Sequence, residues 1–281
     1  MSTQVEQLSL ERLGAAGPEV RYVVTSDAIR EYAAATEDAS DGRIATPVFA
    51  IVPVWKAIAP ASRSIATEDA RKRVVHFGQD MVLHRPIEAG MTLVSTATPT
   101  ALIQRGSGTA LVIHTRTSTE AGELVNEQWV TEFFRGVDAP ATQGEPAADH
   151  RLAAEVAESE PLAEIAQPIS EDQPDRYAEA SGDRFVIHLD DDAARAVGLP
   201  GRILHGFCTL AFTARAVREA AGGVEDSQLT RVAARFSAPV FPGDDLTTRV
   251  WELGGGLYGF EASCGPERVV IKDGLALLTA R

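Results

Sequence analysis

Residues 181 to 207, SGDRFVIHLDDDAARAVGLPGRILHGF, place Asp183 five positions before His188 and bring His205-Gly206 to the mouth of an apolar helical pattern. A carboxylate and an imidazole can hold one water between them and move a proton to or from carbon. A helix N-terminus adds unpaired N–H groups and a partial positive charge, and a glycine there lets a ligand approach the backbone closely. That is the construction of an oxyanion hole. An acid, a base and a carbonyl-polarising helix end together suggest proton transfer next to a thioester. Taken singly, each residue has a plainer reading. Asp183 after Gly182 suits a helix end followed by an Asx turn, and His188 in FVIHL suits a half-buried histidine donating to backbone.

The elements that must position these residues emerge from a repeat. IREYAAATED (29–38) resembles PDRYAEASGD (174–183), with Tyr32 over Tyr177 and Asp38 over Asp183. HRPIEAGMTL (84–93) resembles SAPVFPGDDL (237–246), with Pro86 over Pro239, Gly90 over Gly243 and Leu93 over Leu246. Two matches in the same order point to duplication. The segment between them, rich in Ala, Pro, Asp and Glu, reads as a linker. The expected organisation is a first domain over 1–137, a linker over 138–161 and a catalytic domain over 162–281. In the second half GRILHGFCTLAFTARAVREAAGG predicts a long helix, with Ile203, Phe207, Leu210, Ala214 and Val217 at spacings of three and four and Gly222-Gly223 as its stop. Four strands follow it, and residues 91–136 predict three antiparallel strands in the first half. A helix apolar nearly all round must be wrapped. The fold class is therefore α+β, with a curled antiparallel sheet around a central helix built twice: a double hot dog.

The repeat also serves as a control. From aspartate to helix phenylalanine is 24 residues in the second half (183 to 207) and 11 in the first (38 to 49), and the extra segment carries His188. The first half has Thr46-Pro47 where the second has His205-Gly206, and proline offers no N–H. Chemistry belongs to the second half. Pro47 and Pro53 should leave the first-half helix short or broken, opening apolar room lined by Val48, Phe49, Val52 and Trp55 for an acyl tail; simple collapse of side chains into that space is the equal alternative.

Composition sets the remaining bounds. The chain has 281 residues, 40 acidic and 26 basic, a net charge of −14 that argues against a nucleic-acid partner. Cys208 and Cys264 fit no disulfide or metal spacing. The opening MSTQVEQLSLERLGAAG lacks the basic start and apolar run of a signal peptide, and no apolar run is long enough for a membrane span, so a cytoplasmic protein is expected. His76, Gln79 and His84 have no metal spacing and suit a strand or surface role. Asp190, Asp191 and Asp192 suit the capped start of a short helix. Arg202, Arg215, Arg218 and Arg235 are candidates for phosphate contacts or a solvated face.

The segment 174–247 resembles the MaoC-like dehydratase family, the (R)-specific enoyl-CoA hydratases. The resemblance is carried by Ser181-Gly182-Asp183, Ile187-His188, Gly198 through Ile203 to His205-Gly206, and Ala238-Pro239-Val240 with Gly243-Asp244. It implies Asp183 and His188 as the catalytic pair and Gly206 as the oxyanion glycine; Ser181, Arg202 and His205, close by in sequence, are further candidates for substrate contact. It implies a CoA or acyl-carrier thioester as substrate, no metal or redox cofactor, and a homodimer of double hot dogs. Phe185-Val186 stands where the family has Asn-Pro. That departure keeps open a thioester-binding or assembly subunit without activity of its own; a hot-dog thioesterase, in which the same helix end polarises the carbonyl while an acid activates water, is the second enzyme reading.

Overall fold

The structure, a computed structural model, describes residues 7–223 and 227–280. Ten strands form one antiparallel sheet: β1 (Val20–Val23), β2 (Val74–Leu83), β3 (Thr92–Arg105), β4 (Gly108–Thr119), β5 (Leu124–Arg135), β6 (Ala163–Pro168), β7 (Ser227–Phe236), β8 (Asp245–Gly254), β9 (Leu257–Cys264) and β10 (Val269–Ala280). Their order is β1-β3-β4-β5-β2-β7-β10-β9-β8-β6. Each strand of the first half has its counterpart at the mirrored place in the second, so the duplication read from sequence is the symmetry of the sheet. The halves join where β2 pairs with β7, with Gly78 opposite Arg235 and Met81 opposite Val232. Burial alternates over residues 92–101 of β3 and 245–250 of β8, because one face of the curled sheet meets the core there.

Helices α1 (Ser26–Ala35), α2 (Trp55–Ile65) and α3 (Glu68–Arg71) belong to the first half; α4 (Ala154–Ala157), α5 (Gln173–Ser181), α6 (Asp191–Ala196) and α7 (Gly206–Ala220) follow. As the apolar pattern required, α7 is buried on nearly every side, including Phe207, Leu210, Phe212, Ala214 and Val217. Gly222 and Gly223 end it with φ of 96° and 97°, the left-handed conformation glycine adopts at no steric cost. The first-half counterpart is broken as expected. A 3-10 turn spans Pro47–Ile51, and α2 starts afresh at Trp55. The physical cause is Pro53, which has no N–H to donate and excludes the preceding turn.

The α1 and α5 helices meet at the pseudo-symmetry axis, where the repeated residues Tyr32 and Tyr177 bring their hydroxyls to 3.4 Å. The second half also caps the end of α1. The Gln173 amide donates to the Ala35 carbonyl (2.6 Å), and the Arg176 guanidinium donates to the Ala34 carbonyl and the Glu37 carboxylate. Arg218 pairs with Asp38 at 2.7 Å, with both side chains partly buried. The first-half position equivalent to Asp183 is thus occupied by half of an ion pair across the repeat.

The 138–161 segment is less free than a linker reading implies. Gln143 exchanges backbone hydrogen bonds with Leu102, and His150 Nδ1 meets the Asp273 carbonyl, so the segment is pinned to both halves. Residues 1–6 of the N-terminal stretch lie outside the described residues. Among the described residues no helix is long and apolar enough to cross a membrane.

Candidate active site

Asp183 follows Gly182, whose φ of 77° ends α5 in the left-handed conformation. The turn is held from below: the Ser181 hydroxyl donates to the Tyr177 carbonyl (2.7 Å) and the Asp183 N–H donates to Ser181 Oγ (3.2 Å). The Phe185 N–H donates to Asp183 Oδ1 at 3.1 Å, the Asx turn the sequence suggested. His188 closes a 3-10 turn over Val186–His188, and its Nδ1 lies 2.9 Å from the Ile203 carbonyl. A carbonyl only accepts, so Nδ1 carries the proton and Nε2 keeps its lone pair. His205 stands at the N-cap position of α7, makes no side-chain cap bond, and points its Nε2 at the Asp183 carbonyl, 3.0 Å away, which fixes the opposite tautomer. The His188 and His205 rings stack with centroids 3.8 Å apart and planes 27° apart.

Burial sets the electrostatics. Asp183 is only 7% exposed, and desolvation pushes its carboxyl up from 3.8 to about 6, partly opposed by the Phe185 N–H. Burial pushes His188 down to about 4, against the pull of its bond to Ile203. Burial, then the neighbouring His188, holds His205 at about 2. Near neutrality the centre therefore contains one carboxylate and two uncharged imidazoles.

One ligand-type atom from each of Asp183, His188 and His205 lies within 4.8 Å of the other two. Three such groups could in principle hold a transition metal. The ring geometry opposes it. Imidazole lone pairs lie in the ring plane, and stacked planes send them side by side instead of converging on one ion.

Gly206 opens α7, and its first-turn N–H has no carbonyl of the helix to reach. A Cβ at this position would come within 3.2 Å of His76 Nδ1 and 3.5 Å of the Phe236 ring. A side chain at residue 206 would thus be tight against His76, which would have to give by a few tenths of an ångström. His76, expected only as a strand or surface residue, comes from β2 of the other half. Its ring packs on Phe207 and Phe236 at 4.6 and 4.5 Å, its Nε2 is buried without a partner, and burial pushes it down to about 4. Sequence gave no signal for this contact, since β2 and α7 meet only through the inter-half pairing. Gln79 donates to Gln128 at 3.0 Å and, with the Gly78 backbone, opposes the downward push on His76, whereas His84 pairs with Glu127 at 3.1 Å.

The other expected site residues divide. Ser181 shapes the Asp183 turn, and His205 is 1% exposed and bonded to the Asp183 backbone. The Arg202 guanidinium pairs with Asp175 at 2.7 Å and donates to the Glu171 carbonyl, so it braces α5. Arg215, Arg218 and Arg235 likewise meet the Glu37 carbonyl, Asp38 and Asp273. Val48, Phe49 and Val52 are buried. Phe49 sits edge-on to Tyr22 and Tyr32, which makes it a core residue first. Trp55 packs edge-on to Phe207 at 6.1 Å, one residue beyond Gly206. Asp190 caps α6 as expected, accepting from the Ala193 N–H at 2.7 Å.

Comparison with known proteins converges on one family. Residues 153–271 match the MaoC like domain and residues 35–136 match the MFE-2 hydratase 2 N-terminal domain. The chain is 37% identical to 3-hydroxyacyl-thioester dehydratase Y of Mycobacterium tuberculosis over 211 residues, covering 72% of this chain and 71% of that protein. It is 28% identical over 185 residues to the peroxisomal enoyl-CoA hydratase 2 of Arabidopsis thaliana, covering 63% of this chain and 60% of the relative. In fold it is similar to a MaoC-like dehydratase from Phytophthora capsici, with a TM-score of 0.83, 21% identity and coverage of 98% and 100% of the two chains. The match to both domain types in tandem, on a sheet that repeats itself about β2 and β7, places the chain in the MaoC-like dehydratase family of lyases in its double hot-dog form.

Proposed function

We propose that the chain adds water across the double bond of a trans-2-enoyl thioester to give the (R)-3-hydroxyacyl thioester, or runs the reverse dehydration. The observation that carries this reading is the pair itself: a buried carboxylate and an imidazole whose Nδ1 is committed to Ile203, leaving Nε2 free beside the helix N-terminus. The names of the relatives point the same way.

At neutral pH both groups are acceptors, so one water donates a hydrogen to each. Asp183, raised to about 6 against about 4 for His188, is the stronger base. The water oxygen bonds to C3 while one proton passes to Asp183; the second hydrogen stays on the oxygen, donated in a hydrogen bond to His188 Nε2 that holds the oxygen in line, and becomes the product hydroxyl. The π electrons move onto the thioester oxygen, where the Gly206 N–H and the α7 terminus meet the developing charge. The proton taken from water then returns at C2, leaving both groups as they began. General acid–base groups contribute about 10²–10⁴-fold and an oxyanion donor about 10²–10³-fold. The acyl tail runs from this centre past Trp55 toward Val48 and Val52 in the first half, and the carrier is CoA or an acyl-carrier protein.

The test is crotonyl-CoA with the purified chain. Loss of enoyl absorbance without free thiol is the expected result. Free thiol would mean a thioesterase, and no change at any concentration would leave only binding; either overturns the proposal.

A further inference from the structure

His205 has a place in this centre that neither acid–base chemistry nor oxyanion binding assigns. Two segments make the site, 183–188 and 203–206, and they are laced through each other's backbones. His188 Nδ1–H donates to the Ile203 carbonyl at 2.9 Å, and His205 Nε2–H donates to the Asp183 carbonyl at 3.0 Å. Between them the Ile203 N–H donates to the Ile187 carbonyl at 3.3 Å. Each histidine thus holds the other's segment. The His205 carbonyl meanwhile accepts the Thr209 N–H, the first bond of α7.

The consequence is geometric. Asp183 works on the water and Gly206 on the thioester oxygen, two places a few bonds apart on one substrate. His205 is joined covalently to Gly206 and by its side chain to Asp183. Its ring also lies on the ring of His188 at 3.8 Å. No other side chain in the laced pair of segments reaches all three groups. The position is also costly for packing alone. His205 Nδ1 is buried with no hydrogen-bond partner, a penalty that a phenylalanine of similar shape would not carry. A purely structural site would favour the apolar ring.

We infer that His205 is a positioning residue, whose Nε2–H bond to the Asp183 carbonyl sets the span between the proton-transfer pair and the oxyanion donor. The inference rests on the hydratase reading for its kinetic consequence only. The bond itself can be observed without substrate.

Two variants separate its contacts. His205→Phe keeps a ring on His188 and loses the donor. His205→Gln gives up the stack and keeps an amide N–H for the Asp183 carbonyl. A misplacement of about 1 Å costs on the order of 10²-fold in rate, so the phenylalanine variant should lose about that much kcat with KM within about threefold of native. The glutamine variant should recover at least about tenfold of that loss. A phenylalanine variant within about threefold of native, a glutamine variant no better than it, or a loss confined to KM would overturn the inference. A folded state of each variant is checked by circular dichroism. Should neither fold, nitrogen NMR of the native protein labelled in histidine decides alone: the expected spectrum has His205 as the neutral Nε2–H tautomer and His188 as the neutral Nδ1–H tautomer. The reverse tautomer at His205 refutes the bond. Absence of hydration by the native chain would refute the hydratase reading and leave the tautomer result standing.

Discussion

Replacing Asp183 with asparagine should abolish most turnover and, above pH 6, make the fold more stable. The carboxyl is 7% exposed and receives one backbone N–H, from Phe185, which does not offset its lost hydration. Its folded value of about 6 against 3.8 corresponds to about 3 kcal/mol of folding free energy surrendered once the group is ionised in both states. The direction follows from proton binding. Between 3.8 and about 6 the folded state holds the proton more tightly than the unfolded chain, so rising pH weakens the native protein through that window. Asparagine stays neutral and can still accept from the Phe185 N–H, and its amide can donate to the free His188 Nε2. The gain over native should thus be up to about 3 kcal/mol at pH 8 and about half that at pH 5. The depressed values of His188 and His205 act in the opposite direction, adding stability as pH rises, but they are common to both proteins. Denaturant unfolding of both at the two pH values measures the difference, and crotonyl-CoA hydration measures the loss of kcat, expected to be at least about 10²-fold. Native kcat/KM should itself fall below about pH 6 as Asp183 takes up its proton. An asparagine variant less stable than native at pH 8, equally stabilised at both pH values, or still active would refute the reasoning.

His188→Ala should lower kcat by at least about 10²-fold, whereas Asp38→Asn should leave the rate nearly intact and cost about 1–2 kcal/mol as Arg218 loses its charged partner, a contrast read from paired kinetics and thermal melts. Gly206→Pro should abolish turnover with a native circular dichroism spectrum, because it deletes the oxyanion donor; Gly206→Ala keeps the N–H but crowds His76 at 3.2 Å, so its kcat should fall between the two. If the broken first-half helix admits the acyl tail, Val48→Trp and Val52→Trp should lower kcat/KM on enoyl-CoA substrates of about sixteen carbons more than on four-carbon ones, since each bulky ring would fill apolar space the longer chain needs; equal effects across chain length would assign the first half to packing alone.

The local chain carried much of this protein in plain view. The spacing of Ile203, Phe207, Leu210, Ala214 and Val217 could belong only to a helix wrapped by sheet, and the matched Tyr32 and Tyr177 announced a fold built twice. Pro53 falls at the break between the 3-10 turn and α2, a local effect of its missing N–H, whereas Pro47 sits in the first turn of the 3-10 segment and Pro60 is carried inside α2. That Asp183, His188 and Gly206 lie near one another was legible because a turn, a short loop and a helix start place them from within one segment of 24 residues. Contacts between distant segments were not legible. The arginines near the site read as free cations, yet Arg202 and Arg218 meet Asp175 and Asp38, because charge in a sequence has no address until the chain is folded. His76 stood outside any motif, and only the pairing of β2 with β7 carries it to the first turn of α7. The tautomers of His188 and His205 were likewise undetermined until folding supplied the carbonyls of Ile203 and Asp183. Residue type and spacing decide which groups a chain can offer to chemistry; which proton each group holds, and how strongly, depends on burial and on partners that only tertiary structure brings within hydrogen-bond reach.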